Sequence, residues 1–283
     1  MSALIEAKGL SKSYGSYKAL DNVDFTVERG RVVGLVGPNG AGKTTILNAI
    51  LGLTAFDGDL SVLGLKPNEN RHQIMQKVSF ISDVAILPKW LVVENAIEYV
   101  NQVHPNFNEE KALEFLSKTK IPMKAKVKTL SKGMVAQLHL ALVMAIDAEL
   151  LVLDEPTLGL DILYRKNFYN QLLSDFFTED RSILVTTHQI EEIENLLTDL
   201  IFVKDGKIIL NDSMETVSQN YSEVMVGKEN VEAAKALNPI IERDVFGRKV
   251  FLFEGGDREA LEALGEIHSP SVADIFVAKM EEV

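Results

Sequence analysis

Apolar residues fall along this chain in two distinct rhythms. Residues 31–36, 150–153 and 182–187 form short, nearly unbroken apolar runs, the first of them rich in β-branched side chains. Runs of that kind predict strands buried on both faces, as in the middle of a parallel sheet. Near the start, Ile5-Glu6-Ala7 and Val23-Asp24-Phe25-Thr26-Val27 alternate instead, which predicts antiparallel strands with one wet face. From about residue 84 to 146 the spacing is mostly helical, with Leu91, Ala96, Ile97 and Val100 on one stripe and Leu113, Phe115 and Leu116 on the next. Ser131 is a natural N-cap for a helix over 135–146. Lys204-Asp205-Gly206-Lys207 is a two-strand turn signal. Beyond it, 223–226 and 248–253 predict strands, and 231–237, 258–264 and 271–280 predict helices. The pattern divides into an α/β core over residues 1–220, with its helical part at about 84–146, and a small α+β appendage over 221–283.

Composition narrows the class. The chain has 283 residues, 46% hydrophobic and 25% charged, ordinary for a globular protein. No apolar run reaches the roughly 18 residues a membrane helix needs. The first residues show no basic stretch leading into an apolar one, so no secretory signal is expected. The absence of cysteine removes disulfides, thiol catalysis and thiolate metal sites. A formal net charge of −12 argues against broad binding to a nucleic-acid backbone. Residues 221–283 carry seven Lys and Arg against thirteen Asp and Glu, half of that net charge in under a quarter of the chain.

Chemistry enters at Gly37-Pro38-Asn39-Gly40-Ala41-Gly42-Lys43-Thr44-Thr45. This fits G-x-x-x-x-G-K-[ST] between an expected strand and an expected helix, the context a phosphate-binding P-loop requires. The glycines let backbone N–H groups converge on phosphate oxygens, and the helix N-terminus adds its positive end. Lys43 can reach the β- and γ-phosphates, and the Thr44 hydroxyl can ligate Mg²⁺. The run at 150–153 ends in Asp154 and Glu155, at the strand edge where open α/β sheets bind ligands. Asp154 can hold Mg²⁺ through water, and Glu155 can deprotonate a water for attack on the γ-phosphate. His188 ends the run at 182–187 on the same edge, where a neutral imidazole can meet the γ-phosphate or the attacking water.

Leu130-Ser131-Lys132-Gly133-Met134 lies between these halves and resembles the signature of ABC ATPases, usually written LSGGQ. An aromatic before the P-loop (Tyr14), the P-loop, this signature, Asp154-Glu155, a D-loop-like Pro156-Thr157-Leu158-Gly159-Leu160-Asp161 and a switch histidine (His188) follow in that family's order and spacing over about residues 4–218. The resemblance implies a P-loop NTPase core of ABC type, with a mixed sheet, an antiparallel β subdomain and a helical subdomain, plus the C-terminal appendage. It implies an ATPase with ATP and Mg²⁺ as cofactors, in which two such chains meet head to tail. Ser131 and Gly133 would then bind the γ-phosphate held by the other chain's Lys43, Asp161 would link the two sites, and Tyr14 would stack on adenine, with Tyr17 as the other candidate.

Two departures from the family stand out. Lys132 and Met134 replace the usual Gly and Gln of the signature, while Gly133 is kept. After the expected strand at 78–81 the family places a Gln that touches Mg²⁺ and senses the membrane partner, and the matching residues here are Ser82-Asp83. Asp83 could serve the metal through water. The resemblance implies partnership with a separate integral membrane permease at the cytoplasmic face of the membrane, and export is implied by Pro270-Ser271-Val272-Ala273-Asp274-Ile275-Phe276, which resembles the closing segment of exporter-type ATPases. Residues 87–90 would lie near the groove for that permease, with a core role for Trp90 equally open. Two other readings remain: a soluble ABC ATPase acting on nucleic acid or ribosomes, and a regulatory subunit that binds ATP but hydrolyses it weakly.

Overall fold

The computed structural model describes residues 3–82, 87–158, 160, 162–245 and 247–281, with the side chains of Leu163 and Tyr164 excepted. Asp83 and Asp161 therefore lie outside the described residues. The chain forms two compact units, residues 1–188 with 203–208, and residues 189–202 with 209–283.

The first unit opens on a long hairpin, β1 (Ala3–Tyr14) and β2 (Tyr17–Glu28). Tyr14 and Tyr17 face each other across its turn. After β3 (Val32–Val36) and α1 (Lys43–Ile50), β4 (Asp57–Val62) pairs with β1 to complete an antiparallel sheet in the order β2-β1-β4. Then come α2 (Pro67–Met75), β5 (Val78–Ile81), α3 (Val93–Val103), α4 (Glu109–Ser117), α5 (Lys132–Met144), β6 (Leu150–Asp154), α6 (Ile162–Asp175) and β7 (Ser182–Thr187). Strands β5, β6, β7 and β3 pair in that order, all parallel. Every residue of β3, β6 and β7 is buried, which is why these strands read as unbroken apolar runs. The parallel register aligns the C-terminal ends of β3, β6 and β7, with Val36 opposite Thr187 and Asp154 opposite Thr186. A phosphate loop after β3, two carboxylates at the end of β6 and a histidine after β7 thus emerge on one sheet edge. In the helical part, α5 contacts both α3 and α4. Its start is capped by Ser131, whose hydroxyl accepts from the Met134 N–H at 3.2 Å.

Strands β8 (Asp199–Lys204) and β9 (Lys207–Ser213) follow, and their turn end, residues 203–208, belongs to the first unit. Asp205 and Gly206 both take left-handed backbone, with φ of 48° and 74°, as a two-residue hairpin turn demands. The Gly206 N–H donates to the Ala41 carbonyl at 2.9 Å and its own carbonyl accepts from Asp21 N–H at 2.8 Å, tying this turn to the phosphate loop and to β2.

The second unit continues through α7 (Met214–Asn220), β10 (Tyr221–Val226), α8 (Val231–Ala236), β11 (Ile241–Val245), β12 (Arg248–Glu254), α9 (Arg258–Glu262), β13 (Gly265–His268) and α10 (Val272–Glu281). Its strands form an antiparallel sheet in the order β11-β12-β10-β13. Val224, Val226, Phe251 and Phe253 point to one face at a period of two, and pack with Ala234, Leu261 and Leu264 into a core. Arg243 on β11 pairs with Glu223 on β10 and Asp274 on α10. Helix α10 also meets β8 and the segment before it: Phe276 stands edge to face against Phe202 of β8 at 5.2 Å between ring centres, and the Val272 N–H donates to Glu194 Oε1 at 3.1 Å.

Candidate functional site

The loop from Gly37 to Thr45 joins β3 to α1 and closes too tightly for ordinary side chains. A Cβ on Gly37 would stand 2.4 Å from the Val203 carbonyl oxygen. At Gly42 the backbone is left-handed, φ 113°, and a Cβ would stand 2.7 Å from the Ala19 carbonyl oxygen. The Lys43 ammonium turns back over the loop and donates to the carbonyls of Gly37 at 2.7 Å and Pro38 at 3.3 Å. Lys43 is only 7% exposed. Burial lowers its pKa, against the opposing pull of Glu155 and Asp154.

The two carboxylates at the end of β6 are held differently. Asp154 accepts from the Thr186 hydroxyl at 2.6 Å through Oδ1 and from the Thr44 hydroxyl at 3.2 Å through Oδ2. Glu155 has left-handed backbone, φ 48°, unusual outside glycine, where the strand turns out of the sheet. Its N–H is shared between the Thr186 hydroxyl at 3.1 Å and the Thr186 carbonyl at 3.2 Å. Its carboxylate meets His188 Nδ1 at 2.7 Å, which puts an imidazole proton on Nδ1.

These groups line one open cavity of about 560 Å³, together with Tyr14, Tyr17, Ala19 and residues 38–45. The donors suit a nucleotide and a magnesium ion. Mg²⁺ favours hard oxygen ligands and commonly takes one or two from protein and others from substrate phosphates. Thr44 and Asp154 offer such oxygens beside the loop. No cluster of three or more His, Asp or Glu among the described residues is placed to hold a metal by itself.

The structure brings together, around this cavity, Tyr14, Pro38, Asn39, Gly40, Ala41, Gly42, Lys43, Thr44, Thr45, Asp154, Glu155 and His188, with Gly37 at the root of the loop. Ser131 and Gly133 are not among its lining residues. Both rings at the hairpin tip face it: Tyr14 carries the Lys12 ammonium over its ring at 5.0 Å, and the Tyr17 hydroxyl donates to the Gly40 carbonyl at 2.8 Å. Sequence reasoning passed over Thr186, whose one available signal was a threonine inside an apolar run.

Comparison with known proteins gives these residues a family. The family model described as "ABC transporter" matches residues 20–158. The Nod factor export ATP-binding protein I of Cupriavidus metallidurans is 32% identical over 280 residues, covering 95% of this chain and 91% of that protein. The ribose import ATP-binding protein RbsA of Caldanaerobacter subterraneus subsp. tengcongensis is 30% identical over 242 residues, covering 81% of this chain and 49% of that protein. A solved ATP binding subunit of an ABC transporter shares the fold, with a TM-score of 0.69 over 76% of this chain and 91% of that chain at 24% identity. A relative above 30% identity matched almost end to end, on top of a phosphate loop and paired carboxylates at one sheet edge, places this chain in the family of ABC transporter ATP-binding proteins.

Proposed function

We propose that this chain binds and hydrolyses ATP as one of two cassettes that close head to tail, and so drives a separate integral membrane permease in export from the cytoplasmic face. One observation carries the reading most: Lys43, Thr44, Asp154, Glu155 and His188 line a single cavity that Ser131 and Gly133 do not line. A second cassette would supply those two, from the capped start of its own α5, where backbone N–H groups and a hydroxyl suit a phosphate.

In this reading Lys43 exchanges the carbonyls of Gly37 and Pro38 for the β- and γ-phosphates. Tyr14 stacks on the adenine. Thr44 and Asp154 would hold Mg²⁺, which when bound would supply positive charge beside the phosphates. Glu155 accepts a proton from the water that attacks the γ-phosphorus, the bond to the β-phosphate oxygen breaks, and ADP and phosphate result. His188 orients Glu155 at rest and meets the γ-phosphate when the site is filled. The reading also gives Asp83 a role in serving the metal through water and Asp161 a role in linking the two sites.

The near end-to-end match to a protein named for export supports that direction, since the match to the import protein spans half of that chain. No helix among the described residues is long and apolar enough to cross a membrane. A net charge of −12 supports protein partners over nucleic acid.

The test compares wild type with Glu155→Gln. Loss of a general base is expected to lower turnover by about 10²–10⁴-fold while ATP binding survives. The variant should then run at twice its monomer mass with ATP, and Ser131→Arg in the same background should return it to monomer. Wild type no faster than Glu155→Gln, with ATP leaving the mass unchanged, would overturn hydrolysis and dimerisation. Recovery of a stoichiometric polytopic protein in mild detergent supports the permease, and recovery with ribosomes or nucleic acid refutes it.

A further inference from the structure

Thr186 sits at the C-terminal end of β7 with no exposed surface, after Ile183, Leu184 and Val185. A valine would have the same shape and suit so apolar a strand. A fully buried hydroxyl needs a reason, because an unpaired one is costly. Here the reason is visible. The Thr186 O–H donates to Asp154 Oδ1 at 2.6 Å, and the Thr186 hydroxyl oxygen accepts from the Glu155 N–H at 3.1 Å. One hydroxyl thus links the metal-side carboxylate to the backbone of the expected general base.

Both links constrain geometry that the chemistry would use. With Oδ1 engaged by Thr186, the Asp154 carboxylate is fixed in rotation and directs Oδ2 at the Thr44 hydroxyl, 3.2 Å away. The Glu155 N–H lies between the hydroxyl and carbonyl of Thr186, which pins its left-handed backbone, φ 48°, and with it the direction its carboxylate leaves the strand. We infer that Thr186 is a positioning residue for hydrolysis, orienting Asp154 towards Mg²⁺ and Glu155 towards the attacking water through one buried hydroxyl. It touches neither substrate nor metal. The assignment rests on the hydrolytic reading above and adds a residue to it.

The experiment compares wild type, Thr186→Val and Thr186→Ser. Groups that orient a metal ligand from behind typically matter by 10- to 100-fold when removed. Thr186→Val is therefore expected to lower kcat by roughly tenfold or more and to raise the Mg²⁺ concentration for half-maximal activity, with Thr186→Ser returning both to near wild type. Equilibrium binding of a fluorescent ATP analogue supplies a readout apart from turnover. In EDTA, wild type and Thr186→Val should bind alike, and added Mg²⁺ should tighten binding by wild type and the serine variant more than by the valine variant. A valine variant matching wild type in kcat, in half-activating Mg²⁺ and in Mg²⁺-linked affinity would overturn the assignment. So would failure of serine to rescue. If the valine variant does not melt like wild type, Thr186→Cys, of similar size with a weaker donor, carries the same comparison. If wild type itself hydrolyses nothing, the hydrolytic reading fails, and the Mg²⁺-linked binding still decides whether Thr186 orients Asp154.

Discussion

A methyl group on Gly42 would stand 2.7 Å from the Ala19 carbonyl oxygen and 2.9 Å from Leu20 Cδ2, on backbone with φ of 113°. Two penalties add there: left-handed backbone costs an L-residue roughly 1–2 kcal/mol, and overpacking typically costs about 1–3 kcal/mol. Gly42→Ala is therefore expected to push the loop away from β2, lower the melting temperature and abolish measurable binding of a fluorescent ATP analogue. Binding within twofold of wild type would show that the loop tolerates the shift. Tyr17 offers a gentler perturbation of the same loop. Tyr17→Phe removes only the donor to the Gly40 carbonyl, an exposed contact. A modest rise in KM for ATP with kcat unchanged is expected, and an altered kcat would assign Tyr17 another task. Sequence spacing led to Lys43, Thr44, Asp154 and Glu155 because each sits in a local pattern with its own chemical logic. Thr186 was invisible in that sense. Its partner Asp154 is 32 positions away, and the adjacency exists only once β6 and β7 pair in register.

At the scale of elements, legibility followed how local the determining force was. Strands β3, β6 and β7 were plain because burial on both faces writes itself as an apolar run. The turn at Asp205-Gly206 was equally plain, set by two residues able to take positive φ. Only fragments of β1 and β2 could be read. Each runs for twelve residues, but the pairing shifts register at several points, and every shift breaks the alternation a reader follows. Helix α5 carries a consequence that no periodicity announces. His139 lies within it with Nδ1 buried and unpartnered, and burial lowers its pKa from the ordinary 6.5. Above that value neither the folded nor the unfolded chain binds the proton. Below it the unfolded chain takes the proton up while the folded helix refuses it, so stability falls with pH until the folded-state pKa is reached. His139→Gln is expected to reduce the loss in melting temperature between about pH 7.5 and about pH 5.5. An equal loss in wild type and variant would place the acid sensitivity elsewhere.

For the whole molecule, the question is whether the acidic C-terminal residues form a detachable module. Their sheet has its own core, built from Val224, Val226, Phe251 and Phe253 with Ala234, Leu261 and Leu264. That core was largely legible, since alternating strands and short amphipathic helices identify themselves. What sequence could not give is the closure of the second unit. Phe202, at the end of its first segment, has no exposed surface, and Phe276 of α10, 74 positions further along the chain, stands against it at 5.2 Å between ring centres. The neighbouring Ile190 and Ile193 are buried as well, and Glu194 accepts from the first N–H of α10. Cutting the chain after Asn220 would strip this cover while leaving residues 189–202 in place, so apolar surface designed for burial would face water. The truncated chain is expected to melt lower than the full chain and to aggregate on heating. Phe276→Ala, a smaller version of the same loss, should cost roughly 2 kcal/mol, below the 3–5 kcal/mol typical of a fully buried phenylalanine because Phe276 is only partly buried. Both follow from one contact surface, so the two results must agree in sign. A truncation that melts like the full chain, alongside a destabilised Phe276→Ala, would mean that residues 189–202 repack once α10 is gone, and that the acidic segment is a module after all.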